Sequence, residues 1–401
     1  MKTRFLLLAS LCLLACQTSP PPILKLGSSA SLNDVPVRIS RAQCENLLGA
    51  LNHQEAIQFG DGETVLASQF DDLDQDGLWD EAIVISSLPA QLQLERIPMT
   101  SVPRSETQTN LHFAKVIEKG VKYEEASFGE RIQGTDTKIT QTHFQFEGPG
   151  WENDRIAFRN YFDERNGFDI FGKTQTDMVL TEVGTGDNYH DLLDWGMDIL
   201  KVGNSLGSGG IALWHQDSLY RVTVPEEATY QVIVEGPLRS IFELRFPNLV
   251  VGEHHVEVVH RVSICAGVNG FSSEVMTNPH REDIMLAAGI VNLASDELHT
   301  AETANTKYCF TYDQQAFLGE KLGMGLIGRK ADVAKTMMAP EEGPGITQTY
   351  AILMRLYPDR PTPYLFIAGW EKTDAVFQTE EGFREVLETE AARWVGGLLF
   401  D

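Results

Sequence analysis

Apolar and polar residues alternate with a period of two along most of the chain. AIQF, TVLASQF, EAIVISS, HFAKVIE and ITQTHFQFE come first. MVLTEV, IALWH, YRVTV, TYQVIVEG, SIFELRF and HHVEVVHRVSI follow, and TQTYAILMRLY and PYLFIAGWE close the series. Successive side chains of a strand point to opposite faces, so this pattern predicts half-buried antiparallel strands. Turn residues punctuate them, as in FGDGE, GVNG and EEGPG. A helical period is scarce. DLLDWGMDILKV and the C-terminal TEEGFREVLETEAARWVGGLL are the candidates. No internal repeat is visible. The expected fold is mainly β, a large antiparallel sandwich with few helices. IPMTSVPRSE, residues 97–106, divides it. A small N-terminal β module covers residues 30–105, and the large sandwich covers 106–401.

The N-terminus breaks the strand pattern. Lys2 and Arg4 precede an apolar run from Phe5 to Leu14, too short to span a bilayer comfortably. Leu13, Leu14, Ala15 and Cys16 then resemble the bacterial lipobox. That resemblance implies lipidation at Cys16, with residues 1–16 as the lipoprotein signal segment. A plain secretory signal with a chance cysteine is the alternative. Gln17, rather than Asp, implies by resemblance to known sorting rules a lipid anchor in the outer membrane of a Gram-negative envelope, facing the periplasm. Residues 17–29 read as an extended tether. Membrane contact is expected only through this anchor.

Composition narrows the partners. The 401 residues suffice for a substantial core, and 42% hydrophobic with 22% charged residues is a globular balance. A net charge of −25 argues against nucleic acid, a polyanion the chain would repel. An anionic ligand would need a local basic pocket. Of five cysteines, Cys12 is removed and Cys16 is lipidated in this reading. Cys44, Cys265 and Cys309 remain, too widely spaced for a disulfide framework or a zinc motif. Cys265 and Cys309 are the pair to test for a disulfide, and buried free thiols are the alternative.

One loop suggests a metal. DDLDQDGLWDE runs from Asp71 to Glu81 and presents Asp72, Asp74, Asp76 and Asp80 around Gly77. Oxygen ligands at this spacing suit a structural Ca2+. The twelfth position from Asp72 is Ile83, so the loop is not an EF-hand. The alternative is an acidic turn whose side chains bond local amides. The chemistry considered below requires no other cofactor.

GPGWENDRIAFRNYFD, residues 148–163, carries the sharpest functional signal. Read as one strand, period two puts Trp151, Asn153, Arg155, Ala157, Arg159 and Tyr161 on one face. Ile156, Phe158 and Phe162 fall on the other, a core face. Aromatic rings stack on sugars, and Arg forks bind carboxylates in pairs of hydrogen bonds. A concave binding surface follows, with a cross-strand ladder of Arg and acidic neighbours as the alternative.

WENDRIAFRNYFDERNGFDIFGK, YHDLLDWGMDILKVGNSLGSGGIALW and SQFDDLDQDGLWDE together resemble a bacterial family that carries a domain of unknown function and belongs to polysaccharide-utilisation systems. The resemblance spans roughly Ser68 to Trp214. It implies a galactose-mutarotase-like β-supersandwich. It also implies dehydration of oligosaccharides ending in a uronate, such as those from ulvan, so an anionic oligosaccharide is the expected partner. Such β-elimination removes the proton at C5 and the hydroxyl at C4. A cation must neutralise the carboxylate, and Arg155 and Asn153, supported by Arg159, are the candidates. His190 is the first choice of base and His215 the second. Tyr161 or Lys201 would protonate the leaving hydroxyl, and Trp151 and Trp195 would stack on sugar rings. Each has a plainer reading. A histidine is often a satisfied structural residue, and Lys201 could pair with Asp198 along a helix. GNSLGSGG, Gly203 to Gly210, lacks a P-loop lysine. His254 and His260 share a strand face, but strand histidines six apart cannot chelate one ion alone. Competing functions are a glycoside hydrolase or mutarotase on the same fold, or a non-catalytic sugar-binding lipoprotein. Glu152 and Asp154 are a poor hydrolase pair, since they fall on the inward face.

Overall fold

The computed structural model describes residues 21–398 apart from 29, 63, 132–141 and 224–226. The lipobox Cys16 and the signal segment lie outside the described residues. The hairpin of Arg239–Val251 and His254–Cys265 sits inside a nine-stranded antiparallel sheet. In the second of these strands Val256, Val258, His260, Val262 and Ile264 are buried and the residues between them are not. That is the period of two read from the sequence. Two five-stranded sheets pack their apolar faces against this large sheet. One holds Thr109–His112, Gly150–Asn153, Ile156–Asn160, Phe168–Lys173 and Gly196–Asp198. The other holds Ser208–His215, Ser218–Arg221, Met285–Val291, Val333–Met338 and Thr349–Arg355. Trp151, Phe158, Phe168, Phe242, Phe271, Leu286, Ile352 and Phe366 meet in the shared core. The protein is therefore a mainly β, antiparallel sandwich.

The helix Glu380–Arg393 covers the opposite face of the nine-stranded sheet, placing Phe383 and Leu387 against Phe310, Ile327 and Leu365. Thr379 caps it by accepting from the Gly382 amide. The other expected helix, DLLDWGMDILKV, does not form. Leu193 and Gly196 close a turn, and Gly196–Asp198 becomes an edge strand on Phe171–Lys173. Gly196, at φ +130°, lies against the Gly172 carbonyl where a side chain would clash, so close strand pairing replaces a helix.

The N-terminal module has its own core of Val37, Ile39, Phe59, Trp79, Val84 and Leu92. It begins earlier than expected. Ile23–Leu26 pairs with residues 90–93, so the tether reading of 17–29 is corrected from residue 23 onward. An apolar stretch next to an open sheet edge gains a hydrogen-bonded ladder that a solvated tether lacks. Arg239 of the sandwich fastens the module, lying buried between Asp71 and Glu81. The C-terminal helix reaches it too, with Arg393 Nη2 donating to the Asn33 carbonyl at 2.9 Å. Cys44, Cys265 and Cys309 are buried free thiols, and burial pushes each up to about 12. The Cys265–Cys309 pairing is ruled out, because three strands separate theirs in the nine-stranded sheet. Four inter-strand steps amount to about 19 Å, far beyond disulfide reach.

Candidate functional site

The stretch from residue 148 to 163 is a hairpin, not one strand. Gly150–Asn153 pairs with Ile156–Asn160 so that Trp151 faces Phe158, Glu152 faces Ala157 and Gly150 faces Arg159. Cross-strand partners share a sheet face, so the turn exchanges odd and even positions. Trp151 therefore enters the core, 0% exposed among Phe158, Phe168, Phe242 and Phe271. No sugar can stack on it. Asn153 is also structural. Its Oδ1 accepts from the Arg155 and Ile156 amides, and its Nδ2 donates to the Cys265 and Val268 carbonyls, both at 2.7 Å. Arg155 sits at the turn tip against Asp154, and four strand residues put it about 13 Å along from Arg159. The expected carboxylate grip of Arg155 and Asn153 is corrected on these grounds. Glu152 is occupied as well, bound to Lys173 Nζ at 3.0 Å and to the Val179 and Leu180 amides.

On the face opposite Trp151 and Phe158, Arg159 and Tyr161 meet three carboxyl groups. Arg159 Nε and Nη2 donate to Asp169 Oδ2 at 3.0 and 2.7 Å, and Nη2 also donates to Asp198 Oδ2 at 2.8 Å. Nη1 donates to Glu147 Oε2 at 2.8 Å and to the Tyr189 hydroxyl at 3.3 Å. The Tyr161 hydroxyl accepts from Arg159 at 2.6 Å and donates to Asp169 at 2.7 Å. Arg165, paired with Asp163, lies over the Tyr161 ring. Burial opposes the charge on Arg159, but Tyr161 and the three carboxyls more than offset it and hold its pKa well above the ordinary value. Burial, reinforced by Asp169, pushes the Asp198 carboxyl well above its usual range. Burial pushes the Tyr161 and Tyr189 phenols up as well. Glu147 arrives on strained backbone. Phe146, Glu147 and Gly148 have φ of 35°, 75° and 158°. Only glycine fits at 148, where a Cβ would meet the Asn160 carbonyl. Strain of this kind is kept where the surroundings over-determine it.

His190 forms the solvent edge of this cluster. Its side chain is 43% exposed while Nδ1 is buried, 3.5 Å from Asp198 Oδ2, too long and poorly aligned for a hydrogen bond. The other ring edge, with Nε2, faces outward. Burial and then the Arg159 charge lower its pKa, so the imidazole is neutral near pH 7. Its ring lies beside Tyr189 at 4.6 Å and stacks on Phe317 at 5.6 Å. Phe317 is 49% exposed, an uncommon setting for a phenylalanine. It lines a cavity of about 370 Å³ with Lys201, Leu200, Leu293 and Gln315. Lys201 is exposed and is not in a helix, so the expected intrahelical pair with Asp198 does not arise.

Of the residues expected at a site, His190, Arg159 and Tyr161 thus converge, with Lys201 across Phe317. Trp195 is half-buried against Phe171, next to the Arg159 guanidinium. His215 is elsewhere, buried at the end of its strand beside Asp283. Glu147, Asp169, Asp198, Tyr189 and Phe317 were missed. The available signals were an Asp inside each of two apolar runs, FDIFG and GMDIL, and a Phe in a turn-like QQAFLG. In the acidic loop, Asp72, Asp74 and Asp80 bring oxygen atoms within 4.8 Å of one another, hard donors that suit calcium. The same loop is held by its own bonds, from the Gly77 amide to Asp72, from Leu73 to Asp80 and from Leu78 to Asp76.

Fold and site together define a β-sandwich protein with a buried charge cluster opening beside an exposed histidine and phenylalanine. The chain belongs to the family of the domain of unknown function DUF4861, whose model matches residues 27–395. No curated protein matches it in sequence. Among solved structures, 93% of the chain is similar to an α-mannosidase from Enterococcus faecalis V583, with a TM-score of 0.44 and 11% identity, over 45% of that chain. A protein in glycosyl hydrolase family 38 from Enterococcus faecalis gives a TM-score of 0.45 and 10% identity, over 46% of its length. The chain spans less than half of either.

Proposed function

We propose that the protein is a carbohydrate-active enzyme that dehydrates the terminal uronate of an oligosaccharide by β-elimination. The observation that carries this reading is the neutral, half-exposed His190 set against Tyr189 and the buried Arg159 cluster. In the proposed step, His190 Nε2 takes the C5 proton. The C5–H electron pair forms the C4–C5 double bond, and the C4–O bond breaks. Tyr189 gives its proton to the departing hydroxyl, which leaves as water. Arg159 already donates to the Tyr189 oxygen and would stabilise the phenolate that develops. An Asp198 carboxyl oxygen beside Nδ1 would accept a hydrogen bond from it as the imidazolium forms. Lys201 would neutralise the uronate carboxylate, the role first expected of Arg155, and Phe317 would pack on the sugar ring. Tyr161 and Arg159 act as positioning residues, since both are buried and committed to Asp169.

A hydrolase reading is less well supported. Glu147, Asp169 and Asp198 are all buried around one guanidinium, so these three offer no carboxyl pair open to a glycosidic bond. Export and anchoring through Cys16 would place the enzyme at the periplasmic face of a Gram-negative outer membrane. Oligosaccharides ending in saturated glucuronate or iduronate test the proposal. Ultraviolet absorbance should rise as the product loses one water without chain shortening, and His190→Ala should abolish it. Chain shortening, or no reaction by the unaltered protein, would overturn the dehydratase. Binding without reaction would leave a sugar-binding protein.

A further inference from the structure

We propose that His215, His254 and Asp283 form a binding site for a divalent transition metal of the zinc class. The three residues come from separate elements. His215 ends the strand Ser208–His215, and His254 opens the strand His254–Cys265. Asp283 lies in the loop before Met285–Val291. Asp283 Oδ2 stands 3.3 Å from His254 Nε2 and 3.4 Å from His215 Nδ1. All three donor atoms lie within 4.8 Å of one another. Tetrahedral zinc with ligands at 2.0–2.1 Å separates its donors by about 3.3–3.4 Å. A well-formed N–H···O bond is shorter, about 2.7–3.2 Å. Two of the three donor separations match such a coordination edge, the His254–Asp283 one doubling as a long hydrogen bond.

The site is also built. The His215 side chain is only 3% exposed. Gly252, at φ +60°, closes over its ring, and a Cβ there would stand 3.0 Å from His215 Cδ2. The His254 ring meets His215 edge to face at 5.3 Å. Asp283 is 56% exposed, which leaves an entry path and a fourth position open to solvent. The Asp283 carbonyl lies 3.1 Å from His215 Nδ1. It holds the Nδ1–H tautomer without metal, and binding moves that proton to Nε2 or to solvent. Two imidazoles and one carboxylate favour zinc over calcium or magnesium, which want oxygen alone. The donors belong to none of the strands that carry Arg159, Asp169 or Asp198. The ion would clamp the 251–254 turn to the 283 loop as a structural tie.

The untagged full chain, stripped with chelator and dialysed against zinc chloride, should retain one zinc per chain by elemental analysis. Cobalt(II) should show the intense visible bands of tetrahedral coordination. His254→Ala, at a half-buried position, and Asp283→Asn, at an exposed one, should each weaken zinc binding at least tenfold, with unchanged circular dichroism and unloaded melting temperature. Asp72→Asn in the acidic loop should leave zinc retention unaltered. Failure to retain zinc overturns the proposal. So does retention that survives both site variants, or retention lost in Asp72→Asn.

Discussion

At the scale of single residues, His190 and Arg159 do different work within one cluster. His190 is proposed to act as a base, so only its neutral form is competent. Burial and the Arg159 charge lower its pKa from the ordinary 6.5. The acidic limb of kcat/KM should therefore fall below pH 6.5, with activity rising through it as the imidazole deprotonates. Stability follows the same sign. Between the lowered value and about 6.5 the unfolded chain binds a proton that the folded chain does not, so stability is lost as pH falls through that window. Arg159 is the counter-ion to three buried carboxyls through a planar fork. Arg159→Lys supplies a charge but not the fork. It should cost about 3–5 kcal/mol in urea denaturation, the range for a broken buried pair. It should also lower kcat more than it raises KM, because Tyr189 loses its donor.

At the scale of elements, the hairpin from Gly150 to Asn160 decides which residues face the site. Asn153 holds its turn with both ends of the side-chain amide. Asn153→Ala removes two donors from buried carbonyls and two acceptor bonds from the turn. It should cost about 2–4 kcal/mol of stability. Dehydration per folded molecule should stay unchanged, whereas an equal fall in kcat/KM would mean that Asn153 touches substrate. The strained segment from Phe146 to Gly148 matters in the same way. It sets Glu147 beneath Arg159 at a backbone cost that the cluster offsets.

At the scale of the whole molecule, the N-terminal module and the sandwich are joined by charge as well as by apolar contact. Arg239 reaches out of its long strand to Asp71 and Glu81, while Gln69 accepts from the Leu238 and Arg239 amides. Ile83 packs on Leu238 and Ala266 beside them. Arg239→Met strands the buried Asp71 carboxylate and should cost about 3–5 kcal/mol. Hydrogen exchange should then speed up across Leu32–Ser40 and Glu81–Leu88 before the sandwich core responds. Equal protection in the two regions would mean that the ion pair does not hold the module in place.

Local pattern was enough for the strands, the scarcity of helices and the C-terminal helix, because side-chain alternation and capping are properties of neighbouring residues. It also set Arg159 and Tyr161 on one face, whereas His190 came forward only through the family resemblance and Tyr189 not at all. It misplaced Trp151, Asn153 and Arg155, because a turn two residues long reverses the parity of everything before it. It read DLLDWGMDILKV as a helix, because nothing local marks the strand edge that Gly196 must approach. The partners of Arg159 come from residues 147, 169 and 198, and His254 meets His215 and Asp283. Strand pairing, the turn at Glu147 and the packing of sheet on sheet make those meetings, so charge balance, burial and donor spacing at both sites belong to the tertiary structure alone.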